Sequence, residues 1–214
     1  MTDGPDGLLR ILPVSRETIE RLEAYRDLLK VWQSKTNLVG PGTADLFWSR
    51  HVADAAFIYK CGSMERRWLD VGSGAGFPGL VIAAFLTERE APSNVVSVEA
   101  NAKKCAFQRA AVLAMGLRGG NVTVHIRQQR IEDVPQFEHR TVVTARAFAS
   151  LADILDHADR LGNGVERLLL PKGRAYKDEI AAAQERFTFD FETVPHPTTP
   201  DSVLLDIRSF RRSI

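Results

Sequence analysis

The sequence predicts an α/β fold: one largely parallel sheet with helices on both faces, a helical N-terminal extension and an antiparallel hairpin at the C-terminal edge. From Arg67 onward, short apolar runs alternate with helical segments, the pattern of strands buried on both faces. Before that point the apolar residues recur only at helical spacing. After Phe187, two β-like runs flank a turn-rich segment.

Taken in order, Ser15 is a suitable N-cap. Ile19, Leu22, Tyr25, Leu29 and Trp32 recur at steps of three and four, which predicts a helix ending near Asn37, before Gly40-Pro41-Gly42. A second helix is expected after Thr43, with Leu46, Phe47, Val52, Ala55, Ala56 and Tyr59 on its buried side. Strands are expected at 68–71, 95–99, 122–126, 142–145 and 168–170, and helices at 80–86, 103–115, 151–161 and 177–187. The segments 189–194 and 203–210, joined by His196-Pro197-Thr198-Thr199-Pro200-Asp201, form the expected hairpin. This divides the chain into a helical extension, 1–64, and a sheet domain, 65–214, within one compact unit.

Composition narrows the setting more than the function. At 214 residues with 44% hydrophobic and 26% charged residues, the chain reads as an ordinary soluble globular protein. A formal charge of +1 neither supports nor excludes RNA, because a local basic patch is enough to meet phosphates. Cys61 and Cys105 lie far apart, and with five histidines in no ligand-like spacing neither a disulfide framework nor a metal site is expected. The first twelve residues carry acids and no long apolar run, so no secretion signal is expected. No stretch reaches the length of a membrane span. A reducing, cytoplasmic setting follows as the expectation.

The strongest chemical signal is Asp70-Val71-Gly72-Ser73-Gly74-Ala75-Gly76-Phe77-Pro78-Gly79, which runs from the first sheet strand into a helix. Glycines there let backbone approach a ligand, at the carboxyl end of a strand where doubly wound sheets bind theirs. A dinucleotide loop wants a glycine three places after Gly74, and that place holds Phe77, followed by Pro78. A phosphate-free nucleoside fits better, and Asp70 suits a cationic, amine-bearing one. Glu99, at the end of the second strand, is placed to accept from both ribose hydroxyls. S-adenosylmethionine meets these requirements, which makes the expected fold a Rossmann-like class I methyltransferase sheet. Asp70, Gly72, Gly74 and Glu99 are its candidate cofactor residues, with Ile131 and Glu132, after the third strand, facing the adenine.

The fourth strand delivers Thr144-Ala145-Arg146-Ala147-Phe148-Ala149 to the rim. No Asn-Pro-Pro-Tyr element is present and neither cysteine follows a proline, which disfavours base-amine and cytosine-C5 methylation. Guanine N7 remains attractive because it has an in-plane lone pair and no proton to remove. Arg146 is the candidate for positioning a guanine, with a structural ion pair as its alternative role. Two other readings stay open: a methyltransferase of a small molecule or protein, and a nucleotide-binding protein without chemistry.

Several segments together resemble the bacterial small-subunit ribosomal RNA guanine-N7 methyltransferases, also called the glucose-inhibited division protein B family, from about Leu28 to Gly173. The resemblance rests on Trp32 with Asn37-Leu38, Arg50-His51 with Asp54, the Asp70–Gly79 loop, Lys103-Lys104 with Phe107, Arg130 with Glu132, Arg146-Ala147-Phe148-Ala149 and Lys172-Gly173. It implies methylation of N7 of the guanine at position 527 of 16S rRNA, with S-adenosylmethionine as donor. Cofactor contacts are implied at Gly72, Phe77, Ile131, Glu132 and Arg146, and a patch near the active-site mouth at Arg50, His51 and Asp54; the candidate RNA contacts are Arg50, His51, Lys103, Lys104, Arg130 and Lys172. The implied partner is 16S rRNA or a small-subunit particle, met by a monomer, with no DNA and no membrane. Val39, Ala55 and Gln129 stand where the family commonly has Thr, Ser and Gly, all at substrate-side or loop positions.

Overall fold

The computed structural model describes residues 3–213. Seven strands form one sheet in the order β3-β2-β1-β4-β5-β7-β6. They are β1 (Arg67–Val71), β2 (Ser93–Glu99), β3 (Val122–Gln128), β4 (Thr141–Ala145), β5 (Val165–Lys172), β6 (Phe187–Pro195) and β7 (Val203–Arg212). The first five run parallel, whereas β7 is antiparallel to both β5 and β6. The hairpin therefore inserts its second strand into the sheet and leaves β6 at the edge.

Side-chain alternation along these strands builds two cores. Trp68, Val95, Val142, Leu169 and Leu204 pack on one face against α2 (Arg16–Gln33), α3 (Ala53–Cys61), α4 (Gly79–Leu86) and α5 (Ala102–Ala114). Leu69, Val71, Val96, Val143, Leu168 and Leu205 pack on the other against α6 (Leu151–Arg160) and α7 (Tyr176–Gln184). The extension is stitched into the first core: Leu22, Tyr25, Leu29, Phe47 and Trp48 are buried with Leu80, Phe85 and Phe107.

Ser15 caps α2 as expected, its Oγ accepting from Thr18 N–H at 3.2 Å. That helix stops at Gln33 rather than near Asn37. Gln33 Oε1 accepts from Leu38 and Val39 N–H, so the side chain takes over the turn. The second expected helix also starts differently. Ala44–Leu46 is 3-10, Phe47–Val52 is a π turn, and α-helix begins only at Ala53. The Asp3 carboxylate accepts from Trp48 and Ser49 N–H at 2.7 and 2.9 Å, tying the π turn to the N-terminus. A short helix, α1 (Asp6–Ile11), which the hydrophobic pattern did not announce, buries Leu8 and Ile11 beside it.

Candidate active site

The loops leaving the carboxyl ends of β1, β4 and β5 open on one cleft of about 940 Å³. Its walls include Gly72, Gly74 and Phe77 from the glycine loop, Arg146 and Phe148 after β4, and Lys172 at the end of β5. The extension adds Arg50, His51 and Asp54, α5 adds Lys104, and the β6–β7 turn adds His196.

The glycine loop is held from below. Gly72, Gly74 and Gly76 all have positive φ, which is cheap only for glycine. A Cβ on Gly72 would lie 2.1 Å from Phe148 Cδ2, whereas one on Gly74 would meet only Gly72 O at 4.0 Å. Gly74 thus faces open cleft, and Phe148 lies across Gly72. Beneath the loop, the wholly buried Gln108 donates to Ser73 Oγ and Gly74 O, both at 2.8 Å, and accepts from Ser97 Oγ at 2.6 Å. Tyr25 Oη donates to Ala75 O. Neither Tyr25 nor Gln108 was singled out in the sequence. Tyr25 is just one member of an apolar stripe, but an amide among Cys105, Phe107, Ala111 and Val112 on one helix face is a readable signal.

Asp70 occupies a different place from the one expected. It does not line the cleft: it is fully buried, and its Oδ2 accepts from Gly79 N–H at 2.8 Å, capping α4. Its Oδ1 has no hydrogen-bond partner among the described residues. Burial lifts this carboxyl to about 7, against the opposing pull of Gly79 N–H and Arg146. A carboxylate capping the helix start leaves no anion site there, which removes the phosphate seat a dinucleotide needs. An orphaned acidic oxygen under the loop fits a cation above it.

Glu99 is half-buried, and each carboxylate oxygen takes one amide: Gly74 N–H at 2.9 Å and Asn101 N–H at 2.8 Å. Lone pairs on both oxygens remain for a diol. Open space over Gly74, this carboxylate and the buried acid together fit a cationic, phosphate-free nucleoside.

Arg146 joins the sheet to the extension. Its Nη1 donates to Asp54 Oδ2 at 3.2 Å, its Nη2 donates to His51 Nδ1 at 2.5 Å, and the guanidinium lies 5.4 Å over the Phe77 ring. The ion-pair role considered for Arg146 is thus realised, within the cleft. His51 is buried and stacks on Phe77 with ring centroids 4.6 Å apart. Burial, and then the Arg146 charge, hold it down to about 4, so the ring is neutral and its Nδ1 accepts.

The remaining candidates divide. Arg50 and Lys104 line the cleft mouth; Lys103 and Arg130 are exposed outside it. Lys172 lines the cleft, but its side chain is nearly buried against Glu179 at 2.5 Å, so its charge is already committed. Ile131 is buried in the second core, and Glu132 is exposed on the turn after β3; like Glu99, neither is among the cleft-lining residues. Among the described residues no cluster of His, Cys, Asp and Glu is placed to hold a metal ion. None of the described helices is long and apolar enough to cross a membrane.

Comparison with known proteins agrees with this fold. Magnesium protoporphyrin IX methyltransferase from Synechocystis PCC 6803, solved with S-adenosylmethionine bound, is similar in fold at a TM-score of 0.54. It is 12% identical, and the match covers 86% of this chain and 97% of that one. Human methyltransferase 10 domain-containing protein is similar at 0.54 and 12% identity, over 88% and 97%. In sequence the chain is 36% identical to ribosomal RNA small subunit methyltransferase G of Ruegeria sp. (strain TM1040), over 99% of this chain and 100% of the relative. It is 40% identical to the Brucella canis protein of the same name, over 97% and 95%. The family described as rRNA small subunit methyltransferase G matches residues 18–201. With the relatives aligned end to end and the glycine cleft in place, the chain belongs to the small-subunit ribosomal RNA methyltransferase G family.

Proposed function

We propose that the cleft seats S-adenosylmethionine over the glycine loop and transfers its methyl group to N7 of a guanine in the decoding-region loop of 16S rRNA. The observation that carries this reading is the Arg146–Asp54 pair, 3.2 Å apart beside the glycine loop. Gly72, Gly74, Phe77 and Glu99 hold the cofactor, with Asp70 supplying negative charge from below. The bound cofactor supplies an electrophilic methyl group on a sulfonium. Guanine N7 loses no proton on attack, so no general base is required. What the chain contributes is alignment and exclusion of water.

Arg146 is suited to donate to guanine O6, a common arginine–guanine contact. Because Asp54 offsets its charge, it does so without opposing the positive charge the methylated ring acquires. Neutral His51 holds the second guanidinium nitrogen in place for the same reason. Arg50 and Lys104, at the mouth, are the cations set to meet phosphate. The reading extends to a monomeric cytoplasmic enzyme that meets 16S rRNA alone or within a small-subunit particle.

The test is complementation. In a strain lacking its own enzyme, expression of this chain is expected to restore borohydride- and aniline-induced scission at the decoding-region guanine. Unchanged cleavage there refutes the proposal.

A further inference from the structure

The turn between β6 and β7 is largely exposed, but it buries one ring. Pro195, Pro197, Thr198, Thr199 and Pro200 face solvent, whereas the His196 side chain keeps only 5% of its surface. That ring packs edge-on against Phe57 of α3, with centroids 4.8 Å apart. Its Nδ1 accepts from Thr198 and Thr199 N–H at 3.3 and 3.1 Å. A ring nitrogen that accepts two amides carries no proton, so in the neutral ring the proton sits on Nε2.

The buried Nε2–H faces Asp54 Oδ1 across 3.4 Å and has no other partner among the described residues. A donor buried without an acceptor is costly, and this carboxylate lies within 3.4 Å of it. Asp54's other oxygen already accepts from Arg146. One aspartate thus stands between a histidine on the hairpin and the arginine at the exit of β4, and the three come from distant parts of the chain.

The geometry points to His196 as a positioning residue, whose Nε2–H closes on Asp54 when the substrate is seated and so fixes Arg146 against the guanine. The long separation is consistent with a contact that tightens only in the occupied site. The β6–β7 turn thereby becomes part of the active site without touching the reacting atoms. The inference rests on Arg146 orienting the guanine, as proposed above.

Methyl transfer to small-subunit particles is compared for H196F, which fills the space without a donor, and H196Q, which restores an N–H. H196F is expected to lower kcat about tenfold, as for loss of one hydrogen bond to a charged group, with cofactor affinity unchanged. H196Q should recover to within about threefold of the parent, and H196F should add no further loss in a D54N background. A wild-type rate in H196F, equal impairment of both variants, or the full loss persisting in D54N each overturns the inference. So does a fall in cofactor affinity that matches the fall in rate. A second readout does not depend on activity. Long-range proton–nitrogen NMR should show a bare Nδ1 and a protonated Nε2 whose shift moves in D54N. A proton on Nδ1 overturns the inference even where methyl transfer is intact. Absence of methyl transfer by the parent protein refutes the functional reading instead, and leaves the tautomer test standing.

Discussion

Replacing Asp70 with Asn tests whether one buried acid under the glycine loop sets the pH response of the whole protein. Burial lifts the Asp70 carboxyl from the ordinary 3.8 to about 7. In the unfolded chain the same group ionises near the ordinary value. Between about pH 4 and 7 the folded state therefore holds a proton that the unfolded state has released, and stability falls as pH rises through that window. At about 1.4 kcal/mol for each tenfold change in proton affinity, the loss reaches about 4 kcal/mol by pH 8. His51 acts in the opposite direction. Held at about 4 instead of the ordinary 6.5, it costs stability as pH falls below 6.5, so the two effects partly cancel in the parent protein.

The variant separates them. Asp70→Asn keeps an oxygen for Gly79 N–H and removes the titration, while His51 is common to both proteins. Urea unfolding at steps from pH 4 to 8 should show the variant gaining on the parent by about 4 kcal/mol across the range, most of it between pH 4 and 7. Parallel curves would refute the account. The same acid should also influence cofactor binding, because a cation above the loop favours the ionised carboxyl. Affinity in the parent protein should therefore tighten from pH 6 to 8 with proton release, and this dependence should vanish in the variant. The chemical step, which needs no base, should stay flat over that range.

Gly72→Ala places a methyl group at φ +62 and 2.1 Å from Phe148 Cδ2. Calorimetry should show cofactor affinity lowered by about tenfold or more through strain and displacement of that ring, and unchanged affinity would refute the loop assignment. Gln108→Leu strips three buried hydrogen bonds from the loop. Denaturant titration should report a loss of about 3 kcal/mol, accompanied by weaker cofactor binding; a stable variant with parental affinity would show that the loop holds itself. Arg146→Lys cannot hold Asp54 and His51 together while stacking on Phe77. The expected result is a fall in kcat/KM for RNA of about tenfold or more, with cofactor affinity nearly kept. An equal loss of both would move Arg146 wholly into the cofactor pocket.

Strands and most helices were legible because the strands are short continuous apolar runs and the helices keep a three-to-four step, and Ser15 announced the start of α2. The misplaced boundaries have tertiary causes: Gln33 ends α2 by folding its side chain back on Leu38 and Val39, and the π turn is anchored by Asp3 from the other end of the extension. The glycine loop stood out for its rarity. The place of Asp70 was legible in principle, since alternation from Trp68 puts it on the α4 face. By contrast, nothing local in the sequence brings His196 to Asp54, or Asp54 to Arg146, because those meetings depend on how the hairpin and the extension fold over the carboxyl ends of the strands.

The boundary between extension and sheet domain, plain in the hydrophobic pattern, does not divide the site. Tyr25 of α2 holds the glycine loop at Ala75 and stacks on Phe77 with ring centroids 5.1 Å apart. His51 also stacks on Phe77, and Asp54 pairs with Arg146. A class I sheet alone would present the loop and the arginine, but with Phe77 uncovered and the Arg146 charge unopposed. An unopposed guanidinium would disfavour a guanine that becomes cationic as it is methylated, and an unsupported loop would lose its geometry over Gly74. The extension therefore does in this chain what the sheet cannot do by itself. On the proposed reading, it turns a generic cofactor loop into a cleft whose arginine can approach a base that gains positive charge.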